Sequence, residues 1–336
     1  MNAKGGNHMK KFWQLLLTAM LAVLVLAACG NDSKKEETPV DSDQPAETEQ
    51  EEQAGGNSSS YPYTINDAVG EDITFEKAPE TVISLIPSNT EILFGIDAGD
   101  KVIAVTENDD FPEEVKDLDK VGDYNVNVEK VISLKPDVVF AHDMMLGSGE
   151  EGLNQIRDAG IQVVVIPTAE TFEETYETIK IFGEIMDKNE EANKIVEDMK
   201  AKVEDIKAKA ADITDKKTVL VENSDAPEIY APGKNTFPQQ FLDIINAENI
   251  ITEEGWVMIS PETIVDESPD VILVSYSYVP DVVENIKKRD GFDTVTAVKE
   301  DQVIQVDENI TSRTGPRLAD GLEAYAKAIY PEVFGE

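Results

Sequence analysis

The 336-residue chain predicts an α/β protein of two lobes, each built on a mostly parallel sheet, with one long helix joining them. Three observations carry this. Strand and helix patterns alternate through residues 61–188 and restart after residue 212. Between them, residues 189–212 carry apolar residues at Ala192, Ile195, Val196, Met199, Val203, Ile206 and Ala210, the three- and four-residue steps of one helix face. Finally, a helix–Pro–Asp–strand unit occurs once in each half, at a constant offset.

Taken in order, residues 1–28 read as an export leader. Lys10 and Lys11 precede an apolar run over residues 12–26, too short for a comfortable span, that ends in Leu26-Ala27-Ala28-Cys29. Met9-Lys10-Lys11 reads as a more natural start than Met1. The sole cysteine, Cys29, follows the small-residue cleavage site, and Leu-Ala-Ala-Cys resembles the bacterial lipobox, which implies a lipidated N-terminus at Cys29 on the outer face of the cell membrane. Without a second cysteine the exported domain has no disulfide. Residues 29–60 are polar and acidic, with no aromatic residue, and read as a flexible tether.

In the first lobe, residues 61–76 alternate as a β-hairpin. Residues 82–86 form a buried strand stopped by Pro87, and Ser88 with Glu91 has the spacing of a capping box for the helix that follows. Strands are expected at 102–105, 137–141 and 161–166. Helices are expected at 126–134 and near 150–159, and a further one opens at Thr171 with Glu174. The linking helix has no Gly or Pro and would run about 36 Å at 1.5 Å per residue. Glu190/Lys194, Asp198/Lys202 and Asp205/Lys209 are spaced for i,i+4 pairs along it. Such a helix resists bending, so it is expected to act as a spacer that permits only small lobe adjustments. In the second lobe, residues 213–336, strands are expected at 218–221, 228–230, 271–275 and 303–306, with helices at 237–246 and 316–329.

The repeat pairs Glu129, Pro136 and Asp137 with Glu262, Pro269 and Asp270, each 133 residues on, with apolar residues at matching places. It makes Glu129 and Glu262 counterparts on the two lobes.

Composition removes several classes of function. A formal net charge of −39 and the lack of any basic stripe exclude nucleic acid as a partner. Gly147-Ser148-Gly149-Glu150-Glu151-Gly152 spells a dinucleotide-type glycine motif, but it starts five residues after the preceding strand, and the leader directs the chain out of the cell. There is no G-x-S-x-G, and His142 is the only histidine beyond the leader, which disfavours a hydrolase or a bare zinc receptor. No enzymatic activity, cofactor or resident metal is expected.

Ile86-Pro87-Ser88-Asn89-Thr90-Glu91, residues 99–106, Phe111-Pro112, Val121-Gly122-Asp123-Tyr124, Asn127-Val128-Glu129-Lys130 and Ser312-Arg313-Thr314-Gly315-Pro316-Arg317 follow one another in order. From Ala78 onward this series resembles the iron-siderophore and cobalamin-binding proteins of bacterial ABC importers. The resemblance implies a monomeric bilobal receptor of the helical-backbone type. Ligand would bind in the cleft between the lobes, and the loaded receptor would dock on a permease coupled to an ATPase. It also implies that Glu129 and Glu262 pair with permease arginines. Tyr124, Tyr230 and Trp256 align with aromatic cleft walls, and Arg313 with an amide or carboxylate clamp.

Three positions depart from the cobalamin pattern. Asn108 and His142 stand where it has further aromatics, and Asn309 replaces an acid ahead of the arginine. A corrin ring suits aromatic walls with a few hydrogen-bonding groups. A ferric hydroxamate siderophore would use the same residue types. Haem is a third alternative, with His142 the one histidine able to ligate iron.

Overall fold

The computed structural model describes residues 61–335. The expected leader, the lipidation site Cys29 and the tether lie outside the described residues.

The first lobe opens with an antiparallel hairpin, β1 (Tyr63–Asn66) and β2 (Asp72–Phe75). It continues through β3 (Val82–Ser84), α1 (Pro87–Gly95), β4 (Val102–Val105), β5 (Asp119–Lys120), α2 (Val128–Leu134) and β6 (Val138–His142). Then come α3 (Glu150–Asp158), β7 (Gln162–Ile166) and α4 (Phe172–Met186), and the linking helix α5 covers Asn189–Ala210. The second lobe begins with β8 (Thr218–Glu222), β9 (Ile229–Pro232), α6 (Phe237–Ile244), β10 (Glu248–Asn249), β11 (Trp256–Ile259), α7 (Pro261–Glu267) and β12 (Val271–Val274). It ends with α8 (Val282–Lys287), α9 (Thr296–Lys299), β13 (Val303–Gln305), α10 (Glu308–Ser312), α11 (Leu318–Ile329) and α12 (Pro331–Phe334). Two parallel sheets result, in the orders β5-β4-β3-β6-β7 and β10-β8-β12-β13. An antiparallel ribbon of β9 and β11 stands apart from them.

Both sheets are covered on both faces, and the central strands β6 and β12 are buried on each side, whereas the edge strands β5 and β10 are short and polar. Along β6, Val138 and Phe140 point to one core while Val139 and Ala141 point to another. Along β12, Val271 and Leu273 divide from Ile272 and Val274 in the same way. The first member of each split lies in a single cluster that runs through both lobes, and α5 is its axis. Ala192, Val196, Met199, Val203, Ile206 and Ala210 are all buried there. The expected apolar stripe is therefore the buried face, but the helix is no bare spacer between separate lobes. Phe172 of α4 stacks on Phe241 of α6 at 5.7 Å, and Phe241 meets Tyr325 of α11 edge-on at 5.1 Å, so the lobes touch each other directly. Gly183 lets α4 approach α5, since a Cβ there would lie 2.5 Å from that of Ala192.

Tertiary contacts rearrange the charges expected along α5. Lys194 pairs with Asp198 at 2.6 Å and Lys209 with Asp205 at 2.8 Å. Lys202 does not bond Asp198; it leaves its own helix for Asp320, at 2.6 Å, and Glu323 on α11.

The capping box at Ser88 is not formed. Ile86 occupies the cap position and Pro87 the first turn, with no side-chain cap. Glu91 is buried and serves instead as acceptor at a seam between lobes. Arg313 Nη1 donates to Glu91 Oε1 at 2.9 Å, and Arg317 donates to both carboxylate oxygens at 2.9 and 2.6 Å. Arg313 Nη1 also reaches Asp110 at 2.6 Å, and the Arg317 guanidinium lies 3.9 Å from the centre of the Phe111 ring. Two arginines and two carboxylates thus cancel in charge, which keeps the burial tolerable. By contrast Thr171 does cap α4, accepting from the Glu174 amide at 3.1 Å, while Glu174 accepts from the Glu170 amide at 2.7 Å.

Two outcomes follow for stability. Glu91→Ala leaves two largely buried guanidinium groups without their shared acceptor and should lower the unfolding free energy by about 3 kcal/mol. Lys194→Ala, at an exposed single pair, should leave the unfolding free energy nearly unchanged; urea denaturation distinguishes the two. The second concerns pH. Lys202 and then Lys327 hold the Glu323 carboxyl down from 4.5 to about 2. A depressed folded-state value means that its contribution is complete above about pH 4.5 and disappears as pH falls towards 2. Glu323→Gln should flatten that part of the stability–pH profile; the effect will be small because the pair is partly solvated.

Candidate functional site

Parallel strands deliver all their carboxyl ends to one rim, and the loops there are free to carry function. In the first lobe the loops after β4 and β5 hold Asn108 and Tyr124, and His142 is the last residue of β6, so topology gathers these three on one edge. The second lobe's rim is formed by the segments after β8, β12 and β13, the last carrying Asn309 and Arg313. The two rims face each other across the seam. Asp110, on the β4 loop, accepts from Asn309 Nδ2 at 3.3 Å as well as from Arg313.

Each rim loop has a local reason for its shape. Asp109 is buried and accepts from the Thr106 amide at 2.8 Å and the Thr106 hydroxyl at 2.5 Å, which turns Asn108 and Asp110 outward. Burial pushes the Asp109 carboxyl up, against those hydrogen bonds. Gly122 adopts φ +103°, and a Cβ there would lie 2.3 Å from the Asn125 carbonyl oxygen. Only glycine fits that turn, which projects Tyr124 with 80% of its surface exposed.

On the second lobe, Tyr230 and Met258 are direct partners in the β9–β11 ribbon, and Trp256 follows Met258 on the same face by the two-residue period. All three are exposed, making one apolar wall. Met258 was not anticipated from the sequence, because its role depends on the register with Tyr230. A hollow of about 310 Å³ on this lobe is lined by Ser277, Gln305, Asp307, Glu308 and Asn309, among others.

Arg313, expected as an amide or carboxylate clamp, meets two carboxylates of its own fold through Nη1. Burial works against its charge, but Asp110 and Glu91 more than restore it. His142 does not stand open as an iron ligand: it is buried at the end of β6. Its Nδ1 lies 3.0 Å from Asp143 Oδ1 and 3.3 Å from the Met144 amide. Burial lowers its pKa, and Asp143 opposes that shift. Among the described residues no group of three or more His, Cys, Asp and Glu is arranged to hold a metal ion. The glycine motif ends at the first turn of α3, which bears Glu150 and Glu151, the wrong sign for a phosphate.

Glu129 and Glu262 occupy the second position of α2 and α7, helices of seven residues each. Asn127 caps the first through the Lys130 amide and Ser260 the second through the Thr263 amide. Both helices stop at a left-handed residue, Lys135 at φ 50° and Ser268 at φ 43°. The aspartates that follow are held alike. Asp137 accepts from the amide and hydroxyl of Thr81, and Asp270 from those of Thr218, all at 2.8–3.1 Å. The sequence repeat is thus a structural repeat down to its hydrogen bonds. Each helix returns the chain to the amino end of the next strand, so its first turn, and its exposed glutamate, lie on the rim side. A hydrogen bond from Ser260 holds the Glu262 carboxyl below the usual range.

Comparison with known proteins accords with this geometry. A Bacillus subtilis (strain 168) protein, described as an uncharacterized ABC transporter substrate-binding lipoprotein, YvrC, is 40% identical over 331 residues, covering 98% of this chain and 100% of its own. A vitamin B12-binding protein of Vibrio campbellii (strain ATCC BAA-1116) is 31% identical over 208 residues, 61% of this chain and 74% of that protein. Among solved structures, a Staphylococcus epidermidis ATCC 12228 protein, described as a possible iron-binding (periplasmic solute-binding) protein, is 36% identical with a TM-score of 0.69. It is covered in full by 76% of this chain. The periplasmic binding protein model matches residues 82–310, more than half of the sequence, and with the two facing rims this assigns the chain to the periplasmic binding protein family.

Proposed function

We propose that the protein is the substrate-binding component of an ABC importer, anchored through a lipid on Cys29 at the outer face of the cell membrane. It captures cobalamin between its lobes and passes it unaltered to a permease and its ATPase. The carrying observation is the exposed Tyr230–Met258–Trp256 wall on one lobe together with the exposed Tyr124 on the rim of the other. Broad apolar surfaces of this kind suit a large ring with polar edges, whereas a small polar solute would want a closed polar pocket. The names of the Bacillus lipoprotein and of the Vibrio vitamin B12-binding protein support the class and the ligand respectively.

A ferric hydroxamate siderophore is the second reading, favoured by the Staphylococcus relative described as possibly iron-binding. Haem fits less well, because His142 is buried. The two exposed glutamates, on equivalent helices of the two lobes, are the proposed docking points for the permease.

Trp256 provides the ligand test, since Trp13 belongs to the leader and no other tryptophan exists. Saturable quenching by cobalamin, corrected for its absorbance and lost in Trp256→Phe, is expected. Silence with cobalamin alongside saturation by a ferric hydroxamate would give the site to the siderophore. For docking, Glu129→Arg combined with Glu262→Arg should abolish uptake in cells and leave the affinity for ligand unchanged. A fall in affinity would refute their assignment.

A further inference from the structure

The central strand pair of the second lobe ends in an ionic cluster that the cleft reading does not use. Glu222, at the carboxyl end of β8, is fully buried. Arg289 grips it with two parallel hydrogen bonds of 2.8 and 2.7 Å and extends a third, of 2.8 Å, to Asp225. The Tyr276 hydroxyl donates to the same Glu222 carboxylate at 2.7 Å. The three donors offset the desolvation of the buried carboxylate and hold it in one position.

What depends on it is the loop after β12. Tyr276 is buried and its ring lies 5.0 Å from that of Tyr278, which is 66% exposed. The Tyr278 hydroxyl accepts from the Asp225 amide at 2.9 Å, on the β8 side of the rim. On the other side Ser277 donates to Glu308 at 2.7 Å, and Gln305 donates to the Tyr276 carbonyl at 2.7 Å. The loop is therefore tied to both neighbours at the middle of the rim. Ser224, next to Asp225, accepts from the Tyr230 amide at 2.8 Å, so the same β8 loop positions Tyr278 and the aromatic wall.

An exposed aromatic ring normally relaxes against nearby apolar surface or moves among rotamers. This one is backed by a buried ring and fixed at its hydroxyl, which removes the ordering cost a ligand would otherwise meet. We propose that Tyr278 is a ligand-contacting residue of the cleft that offers its ring to an apolar portion of the solute. The proposal rests on the cleft reading above.

The test uses the full mature chain with cyanocobalamin, ferrichrome and haemin as probes, each followed by isothermal titration. Tyr278→Ala should weaken binding of whichever probe the wild type takes by about tenfold or more, with the melting temperature unchanged. Tyr278→Phe, which keeps the ring but loses its tie to the Asp225 amide, should weaken binding clearly less than Tyr278→Ala does. Wild-type affinity in Tyr278→Ala would overturn the assignment and leave the receptor reading intact. An equal loss in both variants would overturn the ring-contact role by shifting it to the hydroxyl. Failure of the wild type to bind any of the three probes would overturn the receptor reading and this proposal together.

Discussion

One continuous apolar core, threaded by α5, sets everything else in this molecule. Two sheets of an α/β protein each have two faces to cover. Here the inner face of each is covered by a shared layer of α4, α5, α6 and α11, while the outer faces close on separate clusters. Because the layer is shared, the orientation of one sheet constrains the other. Close-packed interiors transmit such constraints with little give. The facing of the two carboxyl rims, and hence the cleft, follows from that packing.

The seam of Glu91, Arg313, Arg317 and Asp110 lies where the shared core gives way to the cleft. Its charges are mostly buried but balanced, and each carboxylate meets an arginine from the other lobe. Ion pairs of this sort specify an arrangement more than they deepen its stability, because desolvation offsets most of the attraction. Apolar packing supplies the adhesion, and the arginines select one relative position of the rims. Arg313 thereby belongs to the framework of the seam as well as to the second rim.

Local patterns in the chain were legible wherever one element's own periodicity decided the matter. The buried stripe of α5 could be read residue by residue, as could the cap at Thr171 and the 133-residue repeat that equates Glu129 with Glu262. Misreadings arose where a local signal competed with a distant partner. Ser88 and Glu91 have capping spacing, yet Glu91 bonds residues more than two hundred positions away. Lys202 has an acid four residues behind it and turns to α11. Met258 and Tyr278 carried no motif at all; the first matters through its register with Tyr230, the second through the Asp225 amide.

By itself the sequence determined the α/β class, the two-lobed order, the start and buried face of the linking helix, and the equivalence of the two glutamate-bearing helices; that helix ends at Ala210, two residues short of its expected end. These depend on hydrophobic period and short-range capping, which act within about a dozen residues. Only the tertiary structure decided that the lobes share a core, that Arg313 and Glu91 form a seam, and which aromatics stand together on the second rim. Those outcomes depend on strand register, sheet order and the approach of groups far apart in the chain, and spacing along one segment holds no record of them.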